Sequence, residues 1–318
     1  MARILVTGAT GFVGRRVCKS LVDRGHNVLA VVRDAKPERA ILHVQETIPM
    51  GELGPDTKWD TTLLDRVDAV IHLAARVHVM NESAANPAAE FQRVNVGVTE
   101  TLARAAVGRV KRFVYVSSLH AMRTLADELL TESSRCEPEG PYAESKLRAE
   151  EVVRKIGMET GLETTILRPP PVYGPGHLGR LMNLFRFVRH GLPLPLGGLQ
   201  NRRSLVFVDN LADALAECSI HPRAAGQTFL ISDGEDVSLS ELVLRMGRAF
   251  DRRTLLLPAP VWFLRSAGRL VGKSGSVERL FGSLAVDSRS IRQQLDWKPP
   301  HSMDVGLRAT AEWMKGAA

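Results

Sequence analysis

Thr7-Gly8-Ala9-Thr10-Gly11-Phe12-Val13-Gly14 stands between an apolar run, Ile4-Leu5-Val6, and a segment of helical periodicity from Phe12 to Arg24. A strand, a glycine-rich turn and a helix in that order have a physical meaning. Gly8 permits the tight turn, Gly11 lets backbone approach a pyrophosphate, and Gly14 lets the helix pack closely on the strand. The helix start adds free N–H groups and a positive dipole end. The turn therefore reads as a dinucleotide site, with Gly8, Thr10, Gly11, Phe12 and Val13 as its lining.

Working outward, short apolar runs alternate with helical stretches. Val28–Val32, Ala69–Leu73, Phe113–Val116 and Thr164–Leu167 read as strands, and Glu90–Ala106 and Ala143–Met158 as helices. Such alternation predicts a doubly wound parallel sheet with helices on both faces. After Arg168 the texture changes to Pro169-Pro170-Pro171, with proline and glycine recurring to Gly198. These read as excursions over the carboxyl edge of the sheet, where ligands bind. Leu205–Val208 and Leu211–Cys218 look like a return to the sheet. Helices near Ser240–Phe250 and Val305–Met314 would build a smaller substrate domain. The expected division is 1–168 plus 204–231 for the dinucleotide and 169–203 plus 232–318 for the substrate.

Bulk properties narrow the function classes. The 318 residues carry 44% hydrophobic and 24% charged residues, as a globular fold requires. The net charge of +7 permits acidic partners. Aromatics make up 5%, and no basic stripe interleaves with them, which argues against nucleic acid. Cys18, Cys136 and Cys218 are odd in number, with neither CxxC nor zinc spacing, so no metal is expected. Reduced thiols and an N-terminus that opens directly into a strand predict a cytoplasmic protein without a signal peptide. No apolar stretch reaches the ~20 residues of a membrane span. Val261–Val271, apolar and basic by turns, reads as an amphipathic helix facing the core, with contact to a membrane surface as the alternative.

The second chemical signal lies far downstream. Tyr142-Ala143-Glu144-Ser145-Lys146 places a phenol and an ammonium one helical turn apart. A nearby ammonium stabilises a phenolate and brings an acid of pKa ~10 toward use at neutral pH. Ser117-Ser118 ends a strand at the sheet edge, where a hydroxyl can hold a carbonyl or alkoxide beside the tyrosine. At the second strand's end, Arg33 follows two valines where NAD binders usually carry an acid. Arg33 can pair with a 2′-phosphate, assisted by Arg15 or Arg16, which favours NADP(H). Asp34 keeps NAD(H) open. The small residues of Leu73-Ala74-Ala75 suit close passage of the cofactor, and His72, within an apolar strand, reads as a hydrogen-bonded structural histidine. Arg168 reads as a strand cap and Tyr173 as loop packing.

By these motifs the chain resembles the extended short-chain dehydrogenases/reductases, a superfamily of sugar-nucleotide epimerases, dehydratases and reductases. The likeness runs through TGATGFVG, VIHLAA, FVYVSS, YAESK, LRPPPVYGPG, RRSLVFVDNLADAL and LDWKPP. It implies a Rossmann-type fold with a smaller C-terminal α/β substrate domain, and Ser118, Tyr142 and Lys146 as the catalytic triad. It also implies Asn95 as a positioning residue, and Glu52, Leu53 and Pro169 beside the cofactor. Asn183, His120 and Arg203 would lie on the substrate, a UDP-sugar, with Arg203 on the diphosphate. Two departures are Glu52, where many relatives carry aspartate, and Ser204, where an aspartate usually follows the arginine.

AARVHVMNE, GLPLPLG, NRRSLVFVDNL and GQTFLISDGEDVS look like bacterial reductases of UDP-4-keto-6-deoxy-N-acetylhexosamine. Such enzymes form UDP-N-acetylquinovosamine for surface polysaccharides. An NAD-retaining 4-epimerase of UDP-hexoses is the alternative, and a non-catalytic NADP-binding sensor is the alternative of another class. Leu119-His120 replaces the acidic pair of related dehydratases, which argues against dehydration. The superfamily pairs the 86–106 and 142–158 helices across a dimer, so a homodimer is expected. The basic surface would steer substrate or touch membrane-bound polysaccharide machinery.

Overall fold

The computed structural model describes residues 1–34, 44–77, 86–177, 179–258, 278 and 281–316. The chain starts with β1 (Arg3–Thr7), α1 (Phe12–Asp23), β2 (Asn27–Val32) and β3 (Glu46–Pro49). It continues through α2 (Thr61–Leu64), β4 (Ala69–His72), α3 (Pro87–Phe91), α4 (Val98–Ala106) and β5 (Arg112–Val116). After α5 (Pro141–Thr160) come β6 (Glu163–Arg168), β7 (Val172–Tyr173), α6 (Arg180–Arg189), β8 (Leu194–Gly197), β9 (Arg203–Ser204) and β10 (Val206–Phe207). Then follow α7 (Val208–Ile220), β11 (Thr228–Leu230), β12 (Asp236–Val237), α8 (Leu239–Ala249), β13 (Leu256–Pro258), α9 (Arg289–Leu295) and α10 (Met303–Gly316).

Seven strands form one parallel sheet in the order β11-β6-β5-β4-β1-β2-β3. Alternate strand residues point to opposite faces, so each face has its own apolar layer. Ile4, Val6, Val28 and Ala30 meet Val17, Cys18 and Leu21 of α1 and Leu211 and Leu215 of α7 on one side. Leu5, Leu29, Val70 and Phe113 meet Leu102 of α4 and Val153 and Ile156 of α5 on the other. This is the doubly wound parallel architecture that the alternation predicts.

Two expectations are corrected, and one strand is not anticipated. Leu205–Val208 does not rejoin the central sheet. Its strand part, β10, pairs with β7 in a separate two-stranded ribbon, and Thr228–Leu230 takes the edge beside β6. Glu90–Ala106 is interrupted by a π turn at Gln92–Gly97 between α3 and α4. β3, whose sequence ETIP carries no long apolar run, extends the other edge. The 261–271 stretch lies outside the described residues, among which no helix is long and apolar enough to cross a membrane.

A third apolar layer, with Phe185 of α6, Val243 and Met246 of α8, and Leu307 and Ala311 of α10, packs around Tyr173 and Phe207. Asp233 joins it to the sheet region. Its carboxylate accepts from Tyr173 Oη at 2.8 Å, the Phe207 amide at 2.8 Å and Asn210 Nδ2 at 2.7 Å. Tyr173 thus packs and anchors its loop, as expected. Asn210 also donates to the His301 carbonyl at 2.8 Å and accepts from the His301 amide at 2.9 Å. Asn210→Ala leaves the His301 amide and carbonyl without these partners and takes one from Asp233. We expect a loss of about 2–4 kcal/mol in urea unfolding, since buried polar groups stripped of partners cost ~1–3 kcal/mol each.

Candidate active site

The carboxyl ends of β1 and β4 define the first half of the site. A methyl on Gly14 would sit 2.1 Å from the Gly8 carbonyl oxygen, and one on Gly8 would sit 2.8 Å from the Ala74 amide nitrogen. Gly8 has φ +67°, a conformation that favours glycine. The glycine loop therefore lies directly on the backbone of Leu73 and Ala74. α1 opens at Phe12 with no side-chain cap and no acidic residue in its first turn. Its first N–H groups are available to an anion.

His72 binds this region together. Thr7 Oγ1 lies 2.6 Å from Nδ1 and Thr99 Oγ1 3.0 Å from Nε2, which ties β1, β4 and α4. Burial, with the nearby Lys146 charge second, pushes its pKa down to about 3. The imidazole is neutral and structural.

The second half forms where β5 ends against the start of α5. Ser118 caps a short 3-10 turn at Leu119–Ala121, its Oγ accepting from the His120 amide at 3.2 Å. The same hydroxyl hydrogen-bonds the Tyr142 phenol. Burial pushes that phenol above its ordinary pKa, and the Ser118 bond draws it partly back. Lys146 Nζ donates to the Val116 carbonyl at 2.6 Å and lies 4.4 Å from the centre of the Tyr115 ring. Desolvation pushes its pKa down to about 7, against the attraction of Glu150.

Asn95 couples the two halves. The π turn holds it buried, with Oδ1 accepting from the Arg76 amide at 2.7 Å. Its Nδ2 donates to the Arg76 carbonyl at 3.1 Å and to Ser145 Oγ at 2.9 Å, and Ser145 donates to the Tyr142 carbonyl. The loop after β4 is thereby fixed to the first turn of α5. Phe91 sets its ring edge-on to Tyr142 at 6.0 Å.

At the rim, the Arg33 carbonyl accepts from the Gly51 amide at 3.0 Å, which brings exposed Arg33 and Asp34 beside exposed Glu52 and half-buried Leu53. Arg15 folds onto the Thr10 carbonyl at 2.8 Å. Arg16 pairs with Asp209, Nε to Oδ1 at 3.4 Å. Pro169 is buried, its carbonyl accepting from the Leu119 amide at 2.9 Å.

Arg203 is half-buried in β9 and donates to the Gly282 carbonyl at 2.9 Å. Ser204, in the aspartate's place, donates to Asp236 at 2.5 Å and accepts from the Val286 amide. Asn183 lies exposed on α6 and accepts from Arg186 at 3.2 Å, and no other hydrogen bond of its side chain occurs among the described residues. The structure thus gathers Ser118, Tyr142, Lys146 and Asn95 but does not bond Asn183 to them.

Arg168 is corrected. It does not cap a strand but forms a buried ion pair with Glu150, Nη2 to Oε2 at 2.7 Å. Sequence reasoning passed over Glu150, although it stands four residues beyond Lys146 on the same helix face. No cluster of three or more metal-ligating side chains occurs among the described residues.

A glycine loop on β1 and a Ser–Tyr–Lys group at the end of β5 in a doubly wound sheet define a short-chain dehydrogenase/reductase-type fold. The chain belongs to the NAD dependent epimerase/dehydratase family, whose model matches residues 4–232. It is 38% identical to a UDP-glucose 4-epimerase of Vibrio cholerae, over 97% of this chain and 94% of that protein. Its fold superposes on the UDP-N-acetylglucosamine 4-epimerase of Bacillus cereus with TM-score 0.79 and 22% identity, covering 99% of this chain and 100% of that one. It superposes on MoeE5, solved with UDP-glucose and NAD, with TM-score 0.76 and 25% identity, over 99% of both chains.

The depressed Lys146 pKa carries a stability consequence. The folded state holds this proton less tightly than the unfolded chain, so Lys146 weakens the fold below about pH 7. That penalty fades as pH rises from about 7 toward the ordinary lysine value of ~10.4. Lys146→Met is expected to raise Tm relative to the parent more at pH 6 than at pH 9, measured by differential scanning calorimetry.

Proposed function

We propose that this protein moves a hydride and a proton at C4 of a UDP-linked hexose derivative. In the finer form, it reduces a UDP-4-keto-6-deoxy-N-acetylhexosamine to UDP-N-acetylquinovosamine or its C4 epimer. The observation that carries this proposal is the meeting of Ser118, Tyr142 and Lys146 at the end of β5, beside the glycine loop. The UDP-glucose 4-epimerase relative supports the sugar-nucleotide class.

A nicotinamide dinucleotide fits the residues present. The uncapped start of α1 offers N–H groups to a pyrophosphate, and the backbone cradle at Gly8 and Gly14 has no room for a side chain. Gly8, Thr10, Gly11, Phe12 and Val13 would hold the phosphates, with Arg33, Glu52 and Leu53 at the adenosine end. Leu73, Ala74, Ala75, Asn95, Lys146 and Pro169 would line the rest. The nicotinamide, when bound, supplies or accepts the hydride. The exposed Arg33 favours NADP(H) through a 2′-phosphate.

The chain's own groups do the proton work. Burial keeps Tyr142 protonated at neutral pH, the state a donor to the C4 oxygen requires. Ser118, already bonded to that phenol, orients the oxygen. Lys146, with a pKa near 7, supplies positive charge as a phenolate forms. His120 and Arg203 would face the sugar and diphosphate, and residues 169–203 plus 232–318 would form the sugar side.

The V. cholerae relative favours a second reading, 4-epimerisation, in which the same triad would take and return the C4 hydroxyl proton while the C4 hydride would pass to a retained NAD⁺ and back to the other face. Cofactor-stripped protein incubated with the 4-keto sugar and either NADPH or NADH separates the two. We expect NADPH oxidation with one 6-deoxy product, and a kcat loss of about 10²–10⁴-fold in Tyr142→Phe. No NADPH oxidation, alongside interconversion of UDP-GlcNAc and UDP-GalNAc by protein carrying bound NAD⁺, would overturn the reductase and install the epimerase.

A further inference from the structure

Tyr142, Lys146 and Glu150 stand at successive turns along one face of α5, and Glu150 is fully buried. A buried carboxylate persists only when paired and hydrogen-bonded. Arg168 of β6 supplies Nε at 3.0 Å to Oε1 and Nη2 at 2.7 Å to Oε2, while Arg154 reaches Oε2 at 2.6 Å. The remaining bond is the informative one, Ser117 Oγ donating to Oε1 at 2.5 Å.

Ser117 sits between the two strand-end atoms that hold the reacting side chains. On one side the Val116 carbonyl accepts from Lys146, and on the other the Ser118 hydroxyl meets Tyr142. The Ser117 amide is pinned to the Leu167 carbonyl at 2.8 Å, one residue before Arg168. Backbone and side chain of Ser117 are therefore both tied to the Glu150–Arg168 lock.

We propose that Glu150 is a positioning residue: clamped by Arg168, its carboxylate fixes Ser117 and thereby aligns the Val116 carbonyl under Lys146 and the Ser118 hydroxyl on Tyr142. The proposal rests on Ser118, Tyr142 and Lys146 being the reacting group. Glu150 also acts on Lys146 through charge. The groups facing Lys146 are His72 of β4, Tyr115 of β5, Tyr142 and Glu150 of α5, and beyond them Arg154, Arg168 and Cys136. Desolvation lowers the Lys146 pKa, and Glu150 is the group that raises it.

The test uses the full-length chain with lysine labelled in carbon-13, the Lys146 signal assigned by its loss in Lys146→Arg. Ser117→Ala keeps both Glu150 ion pairs, so it probes the hydroxyl in a folded protein. We expect kcat to fall about tenfold with KM within about twofold, because alignment rather than binding is lost. Glu150→Gln should move the Lys146 titration midpoint below its starting value near 7 and shift the alkaline limb of the kcat profile to lower pH with it. The double variant should be no slower than Glu150→Gln alone, since both act through one hydrogen bond. Ser117→Ala with parental kcat, or an unmoved Lys146 midpoint in folded Glu150→Gln, overturns the proposal. If the parent turns over no UDP-sugar, the function proposed above fails, while the Lys146 midpoint still decides the charge coupling.

Discussion

At the crossing of the β1–α1 turn with the end of β4, backbone meets backbone with no room for a single added carbon. Gly14 rests on the carbonyl of Gly8, and Gly8 on the amide of Ala74. Because α1 starts flush against β1, its apolar face reaches Val28 and Ala30 and packs with α7. Because Leu73 and Ala74 pass under the loop, the chain beyond β4 leaves at a level where Asn95 can hold the Arg76 backbone. A shape built from backbone contacts cannot relax as a side chain would.

Much of the architecture was readable from pattern. Apolar runs such as Ile4–Val6 and Phe113–Val116 are buried on both faces, so they read as continuous rather than alternating stretches, as parallel strands do. Tyr142 and Lys146 were legible because four-residue spacing on a helix fixes a shared face whatever surrounds it. His72 was legible as structural because a histidine inside an apolar strand must find partners, and Thr7 and Thr99 supply them.

What escaped depends on contacts remote in sequence. β3 is legible only by its partner: ETIP has no apolar run, and its strand state comes from pairing with β2. β10 carries the apolar texture of a central strand yet pairs with β7, a partner more than thirty residues earlier that follows the prolines after Arg168. Arg168, read locally, is a cation at a strand end. Only the approach of α5 to β6 shows that it neutralises Glu150. The π turn at Gln92–Gly97 leaves no mark in composition, because it inserts one residue into a helix without changing the residue types.

The buried charges beneath the site alternate in a way that bears on its chemistry. Moving along the column from β4 to β6, a neutral His72 precedes Lys146, then Glu150, then Arg168. Glu150 stays ionised despite full burial because Arg168, Arg154 and Ser117 all favour its charged form. Its negative charge is largely spent on two arginines, so Lys146 receives only part of it and stays well below an ordinary lysine. Burial, and that ammonium second, keep His72 from accepting a second proton, so it adds no competing charge. The result is an ammonium whose protonation is balanced near neutrality, next to a phenol that burial keeps protonated. The charged form of each group favours that of the other, so a proton leaving Tyr142 would be the change that lets Lys146 hold its charge fully.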